Sequence, residues 1–455
     1  MPELGGLLHG RDDDRELRAE SLIEDTVRIC RELIRLDTSN FGDDSGPGER
    51  DAAELVMGEL TSVGFDPLYV ESRPRRGNVL LRISGSDPSL PGLAVHGHLD
   101  TVPAVEADWR LPPWSAEVVD ECIWGRGAVD MKAMNAMIVA NLKHLTTQGW
   151  RPRRDLVVAF FADEEALSAL GSHWIVDRYP EFFEGVTDAI SEVGGFSVTV
   201  PTRKTGNQRI YLLQTAEKGT LWLRLRASGR AGHGSVPNPE GSINRLAAAI
   251  ARISAHRWPI EYVDSVRSLL HGLAEITSNP GEAEPLVDVV ELLGPSSAFV
   301  DASLRDTVNV TKVSGGYLNN VVPQHADAWL DCRFLPGHEE RLLQTIHELA
   351  GEHVEVHVER RDVALEAPFA NPLVEQMTEA ILTMDPGARV LPYCLAAGTD
   401  NKALSRLGIR GYGFAPLKLP ADLEFANLFH GVDERVPLDS VAFGAHAMNH
   451  FLQGC

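Results

Sequence analysis

Apolar positions recur at helical spacing over residues 22–36, with Ile23, Val27, Cys30 and Ile34 on one stripe, until the polar run Asp37-Thr38-Ser39-Asn40 breaks it. A Gly-, Asp- and Ser-rich loop follows, and the pattern predicts a second helix over 49–63. Short apolar runs at 78–83, 92–96 and 156–161 have strand character, and a helix is expected between the last two, at 131–145. Strands alternating with helices predict an α/β layer. Beyond residue 216 the pattern changes. Over 220–227 apolar Leu221, Leu223 and Leu225 alternate with Trp222, Arg224 and Arg226, which predicts a strand covered on one side only. A helix (243–253), two strands (307–313 and 326–334), a helix (339–349) and a strand (354–359) complete a ferredoxin-like β-α-β-β-α-β order. Helical periodicity returns at 373–382.

The expected fold is therefore a catalytic α/β domain with a mixed sheet, interrupted by a smaller ferredoxin-like α+β domain. Residues 1–215 and 363–455 form the first domain and 216–362 the second. The segment 258–302 is longer than such a module needs.

A chain of 455 residues supports two domains without disulfide staples. Its 65 Asp and Glu against 42 Lys and Arg give a net charge of −23, which argues against nucleic-acid or membrane-surface partners. The five cysteines form no CxxC pair, so neither a zinc ribbon nor a secreted disulfide framework is supported. The polar, acidic start and the absence of a long apolar run lead us to expect a soluble protein of a reducing cytoplasm.

Histidines and carboxylates collect at strand ends and in loops. They occur in His96-Gly97-His98-Leu99-Asp100, in Gly125-Arg126-Gly127-Ala128-Val129-Asp130 and in Ala162-Asp163-Glu164-Glu165. Two further runs, Ser191-Glu192-Val193-Gly194-Gly195 and Phe429-His430-Gly431, carry the rest. Strand C-termini line the ligand crevice of open α/β sheets, so these groups are candidates for one site. Imidazole and carboxylate without thiolate favour Zn²⁺ and neighbouring borderline metals. Two metals sharing an anionic ligand can acidify a bridging water and polarise an acyl carbonyl, and a separate carboxylate must then move the proton. Adjacent Glu164 and Glu165 can divide the work as base and ligand. Asp100 can reach the far nitrogen of the His98 ring and fix its tautomer. His96 is expected to pack locally, Asp163 to cap its loop, and Glu434 and Arg435 to form a structural pair.

The ordered motifs HGHLDTVP, GRGAVDMK, ADEE, SEVGG, NNVVP, DCRFLPG, GTDNKALSRLGI and FHGVDERV resemble the co-catalytic zinc aminoacylase/carboxypeptidase superfamily, from about residue 22 to the C-terminus. The resemblance implies two Zn²⁺ ions, with Co²⁺ or Mn²⁺ as substitutes. It makes Asp130 the bridge, His98 and Glu192 ligands of one metal, and Glu165 and His430 ligands of the other. Glu164 matches the general base and Asp100 the residue behind His98. His233 matches a histidine that polarises the substrate carbonyl, often in the partner subunit's site. Asn320 and Arg333 match substrate-binding positions, and Gly398 and Thr399 a backbone loop lining the pocket. It further implies a homodimer formed through the inserted lid/dimerisation domain. A Glu at position 192 tilts the reading toward substrates with a free carboxylate, N-acyl amino acids or short peptides. The rivals are a dipeptidase that recognises a free amino terminus and a catalytically silent dimeric binding protein of the same fold.

Overall fold

The computed structural model describes residues 6–43, 45–202, 206–277 and 290–455. Ten strands form a mixed sheet whose centre is parallel. Gly92–His98 pairs in parallel with Leu156–Phe161 on one side and with Val186–Ser191 on the other, and Arg410–Gly413 extends the parallel run. Leu68–Glu71 and Gly77–Ile83 close one side in antiparallel fashion. The long strand Gly206–Glu217 closes the other and also pairs with Phe196–Thr202, Arg389–Leu395 and Leu365–Glu366.

The central strands are apolar on both faces because both faces are covered. Leu93, Val95, Leu156, Val158 and Phe160 join a large core with Ala133–Thr147, Gly6–Arg35 and Leu438–Gly454. Ala94, Val157, Ala159 and Phe161 pack on the opposite face against Ile175, Val176, Ala403 and Leu404. Every residue from Ala133 to Leu142 is buried, so that helix carries almost no polar stripe. Among the described residues no helix is long and apolar enough to cross a membrane.

A second sheet is wholly antiparallel, in the order Thr307–Gly315, His325–Phe334, Gly219–Ser228, Val354–Asp362. Its register pairs Leu221 with Cys332, Leu223 with Leu330 and Leu225 with Ala328, which puts all six on the face under Ser242–Ala255 and Glu339–Ala350. The opposite face is polar and internally paired, for example Arg226 with Asp327 at 2.9 Å.

The segment 258–302 departs from the expectation that everything within 216–362 belongs to the smaller unit. Its helix Asp264–Thr277 places Val266, Leu269, Leu270 and Leu273 in the core of the large sheet, and Val300 and Leu304 join them. The helix docks where Gly272 meets Leu391, so the insertion folds back over the first sheet. The middle of that segment lies outside the described residues.

Candidate active site

The parallel strands deliver their C-terminal ends to one rim. His98 ends Gly92–His98, Glu164 and Glu165 follow Leu156–Phe161, and Glu192 follows Val186–Ser191. Gly97 is required between the two histidines, because a Cβ there would lie 2.3 Å from Asn135 Oδ1 and 2.5 Å from Met131 Cε. Asn135 in turn donates to the His98 carbonyl at 2.6 Å, fixing the strand end.

The His98 Nε2 lies 3.0 Å from Asp130 Oδ1 and 3.3 Å from Glu192 Oε2. The His430 Nε2 lies 2.9 Å from Glu165 Oε2 and 3.4 Å from Asp130 Oδ2. Asp130 thus faces both imidazoles, one with each oxygen. Single donor atoms of His98, Glu164 and Glu192 lie within 4.8 Å of one another, as do those of His98, Asp130 and Glu165. Glu164 stands apart in one respect. Among the described residues its carboxylate makes no hydrogen bond to protein, whereas Glu165 also accepts from the Val102 N–H at 3.3 Å.

Four carboxylates beside two imidazoles make an excess of negative charge, with the His430 ring the exposed member of the cluster. Burial, then Glu192, pushes the Glu164 carboxyl well above its usual range, and burial, then His98 in opposition, leaves Glu192 raised as well. Burial and the Asp130 charge push Glu165 up to about 7. His430 is raised to about 10 by its bonds to Asp130 and Glu165. Burial opposes a charge on His98, yet Glu192, Asp100 and Asp130 hold it well above its ordinary value. The converging nitrogen and oxygen donors, without sulfur, fit hard-to-borderline divalent cations that would cancel this excess.

Asp100 is placed differently from the expectation. The His98 Nδ1 bonds the Asp100 main-chain carbonyl at 3.0 Å, while the Asp100 carboxylate sits 3.5 Å away. That carboxylate accepts from the Glu164 N–H (3.0 Å), the Glu165 N–H (3.1 Å) and the Asn40 amide (2.9 Å). It anchors the two-glutamate turn as much as the imidazole, because two backbone donors outbid a distant ring nitrogen. Asp163 caps the same loop, accepting from Leu170 N–H at 2.9 Å. His96 is buried against Asn401 Oδ1 at 2.9 Å, and burial pulls it down to about 4, so it stays neutral.

Glu434 does not pair with Arg435, whose guanidinium lies 4.8 Å from the centre of the Trp124 ring. It pairs with Arg126 at 2.8 Å and accepts from the N–H groups of Gly127 (2.9 Å), Val129 (2.7 Å) and Asp130 (3.1 Å). One fully buried carboxylate thereby clamps the turn carrying Asp130 to the loop carrying His430. Glu434→Ala would strand Arg126 and three amides, at a cost of about 3–5 kcal/mol. We expect denaturant unfolding of the metal-free variant to register that loss, and metal affinity to fall about 10–100-fold in a chelator competition.

The remaining sequence-derived positions fall elsewhere. His233 lies in a small two-stranded element and Asn320 in the turn just before its second strand, where Gly234 N–H donates to the Asn320 carbonyl at 2.8 Å. Among the described residues no hydrogen bond or ion pair links either to the acidic cluster. Arg333 is held by Asp331 at 2.6 Å and the Thr220 hydroxyl at 2.9 Å. Thr399 is buried, and its hydroxyl is taken by Glu217 and the Asn401 N–H.

An α/β sheet covered on both faces, with this donor cluster at its C-terminal rim, defines a metal-dependent amide hydrolase when set beside known proteins. The family model described as peptidase family M20/M25/M40 matches residues 94–454, and the chain belongs to this family. It is 30% identical over 379 residues to the human N-fatty-acyl-amino acid synthase/hydrolase PM20D1, covering 79% of this chain and 73% of that protein. It is 25% identical over 427 residues to aminoacylase-1 of Pongo abelii, covering 90% of each. Its fold is similar to that of the M20 family metallo-carboxypeptidase Sso-CP2 from Sulfolobus solfataricus, with TM-score 0.69 and 18% identity over 94% of this chain and 98% of that one.

Proposed function

We propose that the protein hydrolyses an amide bond adjacent to a free carboxylate, in an N-acyl amino acid or short peptide, at a dinuclear zinc centre. His98, Asp130 and Glu192 would hold one ion, and Asp130, Glu165 and His430 the other. When bound, the pair supplies Lewis acidity that acidifies water and polarises an acyl oxygen. Glu164 accepts the proton of the attacking water and returns it to the departing amine nitrogen. The observation that carries this division is the contrast between neighbours: Glu165 is committed to His430, while the Glu164 carboxylate makes no hydrogen bond to protein among the described residues. Asp100 keeps the two in place through their backbone N–H groups.

Arg333 and Asn320 bind the substrate's carboxylate end or its acyl part, and Gly398 and Thr399 line the pocket through their backbone. His233 polarises the carbonyl of a substrate held by a second copy of the chain. In support of that dimer, the smaller unit exposes several large apolar side chains, Val236, Ile243, Val313, Tyr317 and Leu318, on its strands, helix and turns. The names of the relatives, an N-fatty-acyl-amino acid synthase/hydrolase and an aminoacylase, favour acylated amino acids over unblocked dipeptides.

The test is a panel of N-acyl amino acids of increasing acyl length beside unblocked dipeptides, presented to zinc-reconstituted protein. Hydrolysis of the acylated series is expected. Turnover of unblocked dipeptides alone would contradict the reading, because the two classes carry opposite charges at one end of the pocket.

A further inference from the structure

The two direct strand-to-strand crossings between the sheets meet at one buried acid. Glu217 ends Gly206–Glu217 of the large sheet, Gly219 begins a strand of the second, and Lys218 alone lies between them. The return passes through Val363 and Ala364 only, after which Leu365 pairs with Glu217 itself. The Glu217 carboxylate reaches beyond its own strand to the loop at residues 399–401. Its Oε1 accepts from the Thr399 hydroxyl (2.6 Å) and the amides of Asn401 (3.2 Å) and Gln214 (3.2 Å), and its Oε2 from the Thr399 N–H (3.0 Å).

Lys218 reaches the other way. Its ammonium donates to the Ala302 carbonyl (2.8 Å) and to the hydroxyl of Thr307 (3.2 Å), the first residue of the second sheet's edge strand. Its own carbonyl accepts from the buried Lys402 ammonium at 2.8 Å. Asn401 carries the network on to His96, two residues before His98. Gln214, Glu217, Lys218, Thr399, Asn401, Lys402 and His96 are buried, so each bond lost among them leaves a buried polar atom uncompensated.

We propose that Glu217 is a positioning residue that locks the Gly398–Thr399 loop to the crossing between the sheets, so that the posture of the second sheet is transmitted to the substrate pocket. The inference rests on the reading that this loop lines the pocket. The loop has little freedom of its own: Thr399 gives both its donors to Glu217, and Lys402, one turn later, holds the crossing from the opposite side.

Glu217→Gln keeps the volume but replaces one acceptor oxygen by an NH₂ that faces donors. We expect KM for the hydrolysed amide to rise about tenfold or more with a smaller change in kcat, and zinc affinity to stay within about twofold of the parent, since no donor atom of the cluster moves. Hydrogen exchange should accelerate in segment 396–402 while the central strands exchange as before. Thr399→Val, which deletes one donor of the same bond, should accelerate the same segment. The double variant should add little to either single one. Unchanged exchange at 396–402, a uniform rise across the large sheet, or additive effects of the two variants would overturn the proposal. A parent protein that hydrolyses no amide would instead sink the functional reading, and the exchange and double-variant results would still decide the role of Glu217.

Discussion

Glu164→Gln is expected to lower kcat by about 10³- to 10⁴-fold while leaving the bound zinc stoichiometry unchanged. The amide side chain has nearly the shape of the acid, so the Asp100 bonds to the Glu164 and Glu165 N–H groups persist and the turn keeps its course. What is lost is the carboxylate of the cluster that, among the described residues, no protein donor engages. A glutamine cannot take a proton from water or return it to an amine, so KM should change little and the loss should fall on kcat. Steady-state kinetics paired with metal analysis of the same preparation reads both. Retained turnover would remove Glu164 from the proton-transfer role, and lost metal would make it a ligand.

Asp130→Ala is expected to behave in the opposite way. Among the described residues, Asp130 alone faces both His98 and His430, one oxygen to each, at 3.0 Å and 3.4 Å. Removing it deletes the shared anion between two dications and leaves Glu165 and Glu192 to repel across the gap. Zinc affinity should fall by more than about 100-fold, beyond the effect of losing an outer-shell partner. Activity should disappear with the metal and return only weakly at high zinc. Equilibrium dialysis of both proteins against graded zinc measures this, and an unaltered affinity would place the bridge elsewhere.

How much of this was legible in the sequence follows from the physics of each feature. The runs 92–96 and 156–161 announced themselves because strands buried on both faces are continuously apolar. Strand Arg389–Leu395 did not, since Pro392 interrupts it; it tolerates the proline because, among the described residues, its only ladder is with Gly206–Glu217. The second sheet was readable from its strict alternation. The docking of Asp264–Thr277 was not, because an amphipathic stripe states that a helix is buried and not which core buries it.

At the site, the ligand types and their strand-end positions were visible as residues. The clamp formed by Glu434 was hidden, since its partners stand 304 to 308 positions away and no local pattern links them. Glu217 was hidden likewise, 182 positions from Thr399. Asp100 was half read: its place behind His98 was expected, but its hold on the Glu164–Glu165 turn required the fold.

The central claim is that two metal ions sharing Asp130 make the site competent, and a calorimetric titration of chelator-stripped protein with zinc, run beside an assay of N-acyl amino acid hydrolysis, tests it most directly. Two equivalents should bind to the parent chain, hydrolysis should rise as they fill, and Asp130→Ala should show neither. Full hydrolysis by the metal-free protein, or zinc binding indifferent to Asp130→Ala, would contradict the account.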